Sequence, residues 1–526
     1  MLEAYGLRTT LLEHPALISY PLESRLEVIS AEGQTLHHYT CLGHAFSASM
    51  DGLEAEVVDV NSGTAADYAA KDVRGKVALI NSLATPTAVY DAEQAGTIGQ
   101  IFVNDDHLHN MIVTTVWGTP TPQSAERMPK TPAVSIIASD GGDLRARMAA
   151  GSIRVRIHTQ VFKGWQITPI VIGEIDGRTE EFVMLSGHQD SWHYGAMDNG
   201  SANATMLEVA RLCALHRDEM YRGLRVIFWS GHSHGRYSGS TWYADNHWEE
   251  LYDRCVAHVN VDSTGARSAT YYSTFLAHRE LGDFGARIIT DHTGQQTHSR
   301  RMSRAGDMSF NGVGIPALFM SLSQVPVMAE SDIESSLRRL VGGTMPWWWH
   351  TSEDTIDKID PDVLELDTKI YLSAVWHLCH DLLLPMDFRP VVADFQQELR
   401  DLQQAASTHF DLHPVMERAV KLAACVEQLA LHCAQANDAH DIESLNRQMK
   451  SLSRILIPGT YTSTDRFDHD PAWPIPHLPG LQGVRQLAQL QEGCDDYHFL
   501  KTQQMRNRNA VMFALGEALT ALRNFV

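Results

Sequence analysis

The middle of the chain alternates short, mostly apolar runs with longer amphipathic stretches. The apolar runs, which are typical of strands buried on both faces of a sheet, are 182–185, 224–229, 256–261 and 317–320. Between the first two runs, residues 201–216 carry apolar positions at helical spacing. This alternation predicts an α/β domain over 163–390, in which a mixed central sheet is flanked by helices.

Two further patterns flank this domain. Residues 1–49 form a lead-in with strand-like pieces. Residues 50–162 alternate strands and helices around a Pro-rich loop, which indicates an inserted α/β module. After residue 390 the strand pattern stops, and long helical patterns run through 391–526. We therefore predict a C-terminal helical domain, which either packs against the rest of the chain or forms a dimer.

Composition limits the partners and the cellular compartment. The 526 residues carry a formal net charge of −22, which disfavours binding to nucleic acid or to an anionic membrane surface. No window approaches the ~18 consecutive apolar residues of a spanning helix, and no signal-peptide pattern opens the sequence. The seven cysteines are scattered, without the C-x-x-C spacing of a metal site. We expect reduced thiols in a cytoplasmic protein without a membrane or nucleic-acid partner.

Three candidate metal-site residues follow the first apolar run. His188 lies at the predicted end of a buried strand, and imidazole nitrogen and carboxylate oxygen are both zinc ligands. Asp190 could orient the His188 ring as a supporting carboxylate. Asp198 lies in a Gly-rich turn before the predicted helix, where it either bridges two metal ions or caps the helix.

Two more candidates follow later apolar segments. Asp262 ends the 256–261 strand, although an aspartate in that position is more often a turn former. His350 follows three tryptophans, where a lone histidine is more often a packed core residue. Taken together with His188 and Asp198, however, these residues all follow apolar segments of one domain. The combination predicts a metal site at the carboxyl edge of the sheet.

The motifs around these residues resemble those of the co-catalytic zinc exopeptidases, the superfamily of bacterial aminopeptidases, glutamate carboxypeptidase II and the transferrin receptor. The matching segments are G-H-Q-D-S-W at 187–192, G-A-M-D-N-G-S-A at 195–202, V-N-V-D-S-T at 259–264, G-D-M-S-F-N-G-V-G-I-P-A at 306–317 and W-H-T-S-E-D-T-I-D-K-I-D at 349–360. The resemblance implies a metallopeptidase-like catalytic domain at 163–390 and a protease-associated-like insert at 50–162. It also implies that 391–526 is a dimerisation domain, and hence that the protein is a homodimer.

The resemblance further implies a role for each candidate residue. His188 and Asp262 would hold one metal ion, and His350 would hold a second. Asp198 would bridge the two ions, and Asp190 would be the supporting carboxylate. Two divalent ions per chain are therefore expected. Zinc is the implied metal, while iron, nickel, cobalt and manganese also accept such nitrogen and oxygen ligands.

The chain departs from the family after the strand at 224–229. The family has two adjacent glutamates there, one the general base and one a metal ligand, but this chain has His232-Ser233-His234. In an extended segment both imidazoles would face one side. We therefore assign His234 as a ligand and His232 as the catalytic base, and the two could exchange roles. The alternative is a degenerate site that binds one metal ion or none.

The substrate side is predicted from three residues. Arg304 and Asp307 lie in a loop that is expected to approach the site, where Arg304 either binds a substrate carboxylate or belongs to a solvated basic loop. Trp349 takes the position of a family tyrosine that assists the tetrahedral intermediate. We predict a metal-dependent hydrolase that cleaves an amide-type bond in a small, anionic or short peptide-like substrate through metal-activated water. The alternatives are a non-peptidase metalloenzyme on the same scaffold, either another hydrolase or a lyase, and a metal-free binding or scaffold protein.

Overall fold

The computed structural model describes residues 1–320, 322–326 and 344–523. Its strands are β1 (Arg8–Ile29), β2 (Thr35–Tyr39), β3 (Leu42–Gly43), β4 (Met50–Asp59), β5 (Val77–Asn81), β6 (Gly99–Val103), β7 (Ala133–Ile136), β8 (Arg154–Ile175), β9 (Phe182–His188), β10 (Gly223–Trp229), β11 (Cys255–Asn260), β12 (Thr274–Ala277), β13 (His298–Arg301) and β14 (Ala317–Phe319). Its helices are α1 (Ala65–Ala69), α2 (Pro86–Ala95), α3 (Pro122–Ala125), α4 (Ala138–Ala150), α5 (Ala202–Leu215), α6 (Ser238–Asn246), α7 (Trp248–Arg254), α8 (Gly282–Thr293), α9 (Pro361–His380), α10 (Arg389–Ala406), α11 (His413–Gln435), α12 (Ala439–Tyr461), α13 (Val484–Leu487) and α14 (Asp495–Ala521).

One sheet runs through the whole α/β part of the molecule. The described strands follow the order β13-β12-β14-β11-β9-β10-β8-β4-β5-β6-β7-β3, and β1 pairs with β2 and β8. At the centre, β10, β9, β11 and β14 are parallel neighbours, and all their residues are buried. Residues of α5 and α9 share one hydrophobic cluster with these strands, and residues of α6 and α7 share another. Coverage on both faces explains the continuous apolar runs, and the predicted mixed sheet flanked by helices is confirmed.

The long strand β8 links the two halves of this sheet. It pairs with β1 along almost its whole length, from Arg8 opposite Glu174 to Ile29 opposite Arg154. The sequence pattern of this segment is typical of a strand only near 153–157, because the middle of β8 is largely exposed on both faces and loses the alternation of buried and exposed residues. The predicted boundary between residues 162 and 163 falls inside β8, and the division into domains stays a prediction.

Helices α10 to α14 form the C-terminal part. The long α14 packs against α11 and α12. The continuous helical pattern at 392–434 is divided between α10 and α11, because the chain turns at Ser407, where φ is +50°. Among the described residues, no helix combines the length and the apolar character needed to cross a membrane. Dimerisation through α10 to α14 stays a prediction.

Arg454 on α12 joins the helical part to the α/β part. Its buried guanidinium donates to four backbone carbonyls, those of Leu251, Tyr252, Cys255 and Gly314. We expect Arg454→Met to lower the free energy of unfolding by at least about 3 kcal/mol, because a buried carbonyl that loses its donor costs about 1–3 kcal/mol. Urea unfolding of the full chain measures this loss.

The matched control for this prediction lies on the same helix. Arg447 is largely exposed and pairs with Glu443 one turn away. Arg447→Met should change the free energy of unfolding by less than about 1 kcal/mol, as is usual for an exposed ion pair. Equal losses in the two variants would show that Arg454 does not join the two parts in the way described.

Candidate metal centre

Parallel strands bring the predicted polar side chains to one edge of the sheet. His188 is the last residue of β9, Asp262 follows closely after β11, and residues 230–237 form the loop after β10. Asn199 connects two of these strand ends, because its Nδ2 donates to the carbonyls of His188 and Val261 at 3.2 and 3.3 Å. The carboxyl ends of adjacent parallel strands meet at one edge, and this is why residues far apart in sequence come together.

Asp198 lies at the centre of the cluster, between two imidazoles. Its Oδ1 is 3.1 Å from Nε2 of His188, and its Oδ2 is 2.9 Å from Nε2 of His350. Oδ2 of Asp262 is 3.4 Å from the same nitrogen of His188. The structure thus brings together all four residues predicted as ligands from the strand ends. Because α5 has no side-chain cap, the helix-capping interpretation of Asp198 is wrong.

The remaining nitrogen of each imidazole donates to a backbone carbonyl. Nδ1 of His188 is 2.7 Å from the carbonyl oxygen of Asp190, and Nδ1 of His350 is 2.7 Å from that of Asn110. Because a carbonyl oxygen only accepts, each Nδ1 carries the hydrogen, and each neutral ring has its lone pair on Nε2. Both lone pairs therefore face the oxygens of Asp198.

This arrangement fits a divalent cation. Nε2 of His188 and Oδ1 of Asp198 are buried and close, yet neither forms a hydrogen bond. A lone pair and an anionic oxygen in this position repel each other unless a proton or a cation lies between them. Burial disfavours the charged ring, but the carboxylates of Asp262 and Asp198 raise the pKa of His188 well above its ordinary value. The pocket thus attracts positive charge with the ligand types that suit zinc and related ions.

His232 joins this cluster through its ring. The ring stacks on that of His188, with the two centroids 3.9 Å apart. Ligand atoms of His188, His232 and Asp262 all lie within 4.8 Å of one another. Burial and the charge of His188 lower the pKa of His232 well below its ordinary value, so the ring is neutral and able to accept a proton or a metal ion.

His234 lies in a different environment. Its ring centroid is 4.5 Å from that of Trp192, and its Nδ1 is 3.5 Å from Oδ2 of Asp190. His232 and His234 would face the same side of an extended segment. The chain instead turns after Gly231, whose φ is +71°, and the two rings lie in different surroundings. His232, and not His234, therefore lies beside His188 and Asp262, and the division of the ligand and base roles between the two histidines stays a prediction.

The carboxylate of Asp190 holds the backbone of the same loop. Its two oxygens accept hydrogen bonds from the backbone N–H groups of His232 at 3.1 Å and of Ser233 at 2.8 Å. Burial opposes its ionisation, but hydrogen bonding to His234 and the charges of the neighbouring rings lower the pKa of Asp190 to about 2. The group of Asp190 that contacts the His188 ring is its backbone carbonyl and not, as predicted, its carboxylate. The carboxylate instead holds the loop that carries His232.

Asp190→Asn is expected to lower kcat/KM by about 10- to 100-fold, the usual loss for a residue that supports a metal site. In the variant, the side-chain NH2 group would face a backbone N–H group that donates to the carboxylate in the wild type. Two donors would then face each other, so the His232 loop would shift. Steady-state kinetics of the metal-loaded protein measure the loss. Asp176→Asn, at a carboxylate that is 78% exposed, is the control. Unchanged kinetics in Asp190→Asn would refute the positioning role.

Two residues outside the predicted set support the cluster. The carboxylate of Asp354 accepts from the backbone N–H groups of Met197 and Asp198 at 2.8 and 3.0 Å, which fixes the turn that carries Asp198. Asn110 accepts from His350 through its carbonyl and donates to the carbonyl of His350 at 2.9 Å. Asp354 stands in the same motif as His350 and could have been recognised. Asn110 comes from the 50–162 segment, and nothing local in the sequence marks it.

A cavity of about 70 Å³ adjoins the cluster. Two of the predicted substrate-contacting residues, Arg304 and Trp349, line it, and the ring of Trp349 stacks on His350 with the centroids 3.5 Å apart. Asp307 is not among the described lining residues. Its buried carboxylate accepts from the backbone N–H of Ser309 at 3.0 Å, because the chain turns sharply there. The geometry therefore gives no support to Asp307 as a substrate contact.

Comparisons with known proteins agree with this geometry. Residues 171–375 match the family described as "Peptidase family M28". The chain is 25% identical over 480 residues to the maize protein named "Probable glutamate carboxypeptidase VP8", with 77% of this chain and 66% of that protein covered. It is 23% identical to the mouse protein "Aminopeptidase NAALADL1", with 65% of this chain and 50% of that protein covered. The chain thus spans two thirds or less of these relatives.

Solved structures show the same fold. An aminopeptidase from Aneurinibacillus sp. strain AM-1 aligns with a TM-score of 0.52 at 23% identity, covering 72% of this chain and 86% of that one. A peptidase M28 precursor from Shewanella amazonensis SB2B aligns with a TM-score of 0.55 at 17% identity, covering 73% and 86%. The α/β core that carries the cluster is therefore shared with these proteins, and the predicted fold and resemblance are confirmed. Over residues 171–375 the chain is therefore similar to peptidase family M28, in line with the predicted resemblance to the co-catalytic zinc exopeptidases.

Proposed function

We propose that this chain is a metal-dependent hydrolase that cleaves an amide-type bond in a small, anionic substrate. The observation that carries the proposal is the convergence of Nε2 of His188 and Nε2 of His350 on the two oxygens of Asp198. Neither ring nitrogen faces a donor there, and both face negative charge. Such an arrangement is stable only with a proton or a cation between the groups, and a divalent cation would satisfy both pairs at once.

The residues of the cluster divide into two sets of ligands. His188 and Asp262 would hold one ion, His350 would hold the other, and Asp198 would serve both. His232 lies close enough to complete the first set or to act beside it. Zinc is typical of the family, and the mixture of imidazole and carboxylate also suits iron, nickel, cobalt or manganese. A bound divalent cation polarises the carbonyl under attack and lowers the pKa of water.

The chain's own contribution to the chemistry centres on His232. Its neutral ring can take a proton from the attacking water and return it to the leaving nitrogen, which is the work of a general base and acid. Stacking on His188 and an edge contact with Tyr237, with centroids 4.3 Å apart, fix the plane of the ring. Trp192 and Trp349 supply apolar surface on the cavity wall, which limits the entry of water.

A second candidate is hydrolysis of a bond other than a peptide bond on the same scaffold. The observation that favours it is the composition of the cavity. The part of its wall that the structure describes contains two aspartates, two histidines and no glutamate. A histidine base changes the proton transfer to the leaving group, and leaving groups that need less protonation, such as alcohols, would then be favoured.

The test uses the purified full chain loaded in turn with zinc, manganese and cobalt. Substrates are a panel of dipeptides, N-acyl amino acids and matched esters. The proposal predicts turnover of amides that is lost on removal of the metal by a chelator and restored by adding the metal back. Turnover of esters alone would favour the second candidate. No turnover with any metal would favour a binding or scaffold protein and overturn the proposal.

A further inference from the structure

The two halves of the predicted metal centre are supported by different parts of the chain. His188 is the last residue of β9, and its Nδ1 donates to the carbonyl of Asp190, two residues later. His350 donates through its Nδ1 to the carbonyl of Asn110, which lies 240 residues earlier, in the loop between β6 and α3. The half that contains His188 is thus built from a central strand, whereas His350 depends on the 50–162 segment.

The backbone at His350 is held by the same loop. Its φ is +60°, in the left-handed region that a residue other than glycine seldom adopts. A conformation of this kind persists where the surrounding contacts fix it. The N–H of Asn110 donates to the carbonyl of His350 at 2.9 Å, and the carbonyl of Asn110 accepts from the ring at 2.7 Å. Asn110 therefore fixes both the backbone and the ring of His350.

His109 makes a second contact of the same kind. Its side chain is 4% exposed, and its Nδ1 is 2.6 Å from the carbonyl oxygen of Trp349. Burial lowers the pKa of His109 to about 4, so the ring is neutral at neutral pH. Because a carbonyl oxygen only accepts, the single ring hydrogen lies on Nδ1. Two consecutive residues of the loop thus hold two consecutive residues of the segment that carries His350.

Hydrophobic packing joins the same two parts of the molecule. One buried cluster contains Trp348 and Trp349, which precede His350, together with Phe102 and Val113 of the 50–162 segment. Burial of apolar surface between two parts of a chain holds them together in water. The hydrogen bonds from the loop therefore act across a junction that packing already keeps closed.

A third contact ties the loop to the strand that carries His188. Oδ1 of Asn110 is 2.7 Å from Nε2 of His193, which lies in the loop after β9. Asn110 thus contacts a residue near each half of the centre, and it connects them from outside the sheet. The position of His350 relative to His188 is set through this loop.

We propose that His109 is a positioning residue for the metal ion assigned to His350, because it holds the peptide that joins Trp349 to this ligand. The role of His109 rests on the proposed function, since it takes His350 as a ligand. The ion on the side of His188 and Asp262 should not depend on His109. Loss of this one contact in the 50–162 segment should therefore leave a chain that binds a single ion tightly.

The test titrates the metal-free full chain with zinc and measures the affinity of each equivalent by calorimetry. His109→Leu removes the donor to Trp349. One equivalent should bind as in the wild type, and the other at least about tenfold more weakly, the lower end of the loss for a residue behind a metal ligand. His109→Asn is the matched variant. Its side-chain amide can place an N–H group where Nδ1–H lies, so both equivalents should bind as in the wild type.

A double variant identifies which ion is affected. His350→Ala removes the ligand itself and should leave one tight equivalent. In that background, His109→Leu should change the affinity for the remaining equivalent by less than about twofold, the error expected for independent sites. A clear further weakening would show that His109 supports the whole cluster, and it would overturn the specific role with His350.

Two more variants separate positioning from stability. His14 is buried on β1 and forms a hydrogen bond with Thr168, so His14→Leu should lower the unfolding temperature but keep both zinc equivalents. His193 is exposed, and His193→Ala should weaken the same single equivalent as His109→Leu. If His109→Leu does not fold, His193→Ala decides the question, and unchanged binding of both equivalents in it would overturn the proposal.

The titration of the wild type distinguishes this proposal from the proposed function. Two zinc equivalents in the wild type, with both unchanged in a folded His109→Leu variant, would overturn the role of His109 and leave the proposed function intact. Equal weakening of both equivalents would also overturn it. A wild type that binds no zinc would overturn the proposed function and the role of His109 together.

Discussion

Asp198→Asn should abolish hydrolysis, with a loss of kcat/KM well beyond the ~100-fold that marks a residue supporting a metal site. Asp198 offers one oxygen to the side of His188 and the other to the side of His350. The asparagine keeps the shape but loses the negative charge, and its NH2 group cannot act as a ligand. The variant should therefore lose the charge that balances two cations as well as the group that both would share.

Steady-state kinetics at matched total metal measure this effect. Asp176→Asn provides the control for an Asp-to-Asn exchange at an exposed position. The loss of kcat/KM in Asp354→Asn should lie between the losses in Asp198→Asn and Asp176→Asn. Asp354 accepts hydrogen bonds from the backbone of the turn that carries Asp198 and does not face the ligand atoms. An Asp198→Asn variant with more than about a tenth of wild-type activity would be incompatible with a bridging ligand, since even outer residues cost about 10- to 100-fold.

His232→Ala should lower kcat by about 10²- to 10⁴-fold, the range expected for loss of a general base. The reason is its position beside His188 and Asp262, with a neutral ring. His234→Ala should cost less than about tenfold, because His234 contacts Trp192 and Asp190 outside the ligand set. The two variants decide between the alternatives that the sequence left open, and the opposite ranking would restore His234 to the role of ligand.

The pH dependence gives a second measure of the same role. A base must be neutral to act, and burial together with the charge of His188 lowers the pKa of His232. The ordinary pKa of histidine is about 6.5, so the fall of kcat on acidification should occur below that pH. The value of kcat should change little across neutral pH. In His232→Glu a carboxylate replaces the imidazole, so the pH at which kcat falls should change. A profile identical to that of the wild type would exclude His232 as the base.

The residues that could be predicted from the sequence are those that follow strand ends directly. His188 and Asp262 come after continuous apolar runs, and such runs identify strands that are buried on both faces. Parallel neighbours then bring their ends to one edge without further information. Asp198 and His350 are harder to predict as metal ligands. An aspartate in a turn before a helix is commonly a helix cap, and a histidine after tryptophans is commonly a core residue, so only the combined motifs favour a ligand role.

Other features depend on contacts that no local pattern reveals. Asn110 binds His350 across a sequence separation of 240 residues. The choice between His232 and His234 depends on a turn after Gly231, which reverses the expectation for an extended segment. Nε and Nη2 of Arg236 are buried without an acceptor, and no local sequence pattern reveals this.

The metal content of the purified protein tests whether the cluster around Asp198 binds divalent metal. The wild type and Asp198→Asn are expressed with added zinc, purified identically and analysed by mass spectrometry for metal per chain. We expect between about one and two equivalents of metal in the wild type, in line with a two-metal hydrolase site, and a large loss of metal in the variant. Trace metal in both proteins, at equal levels, would contradict it.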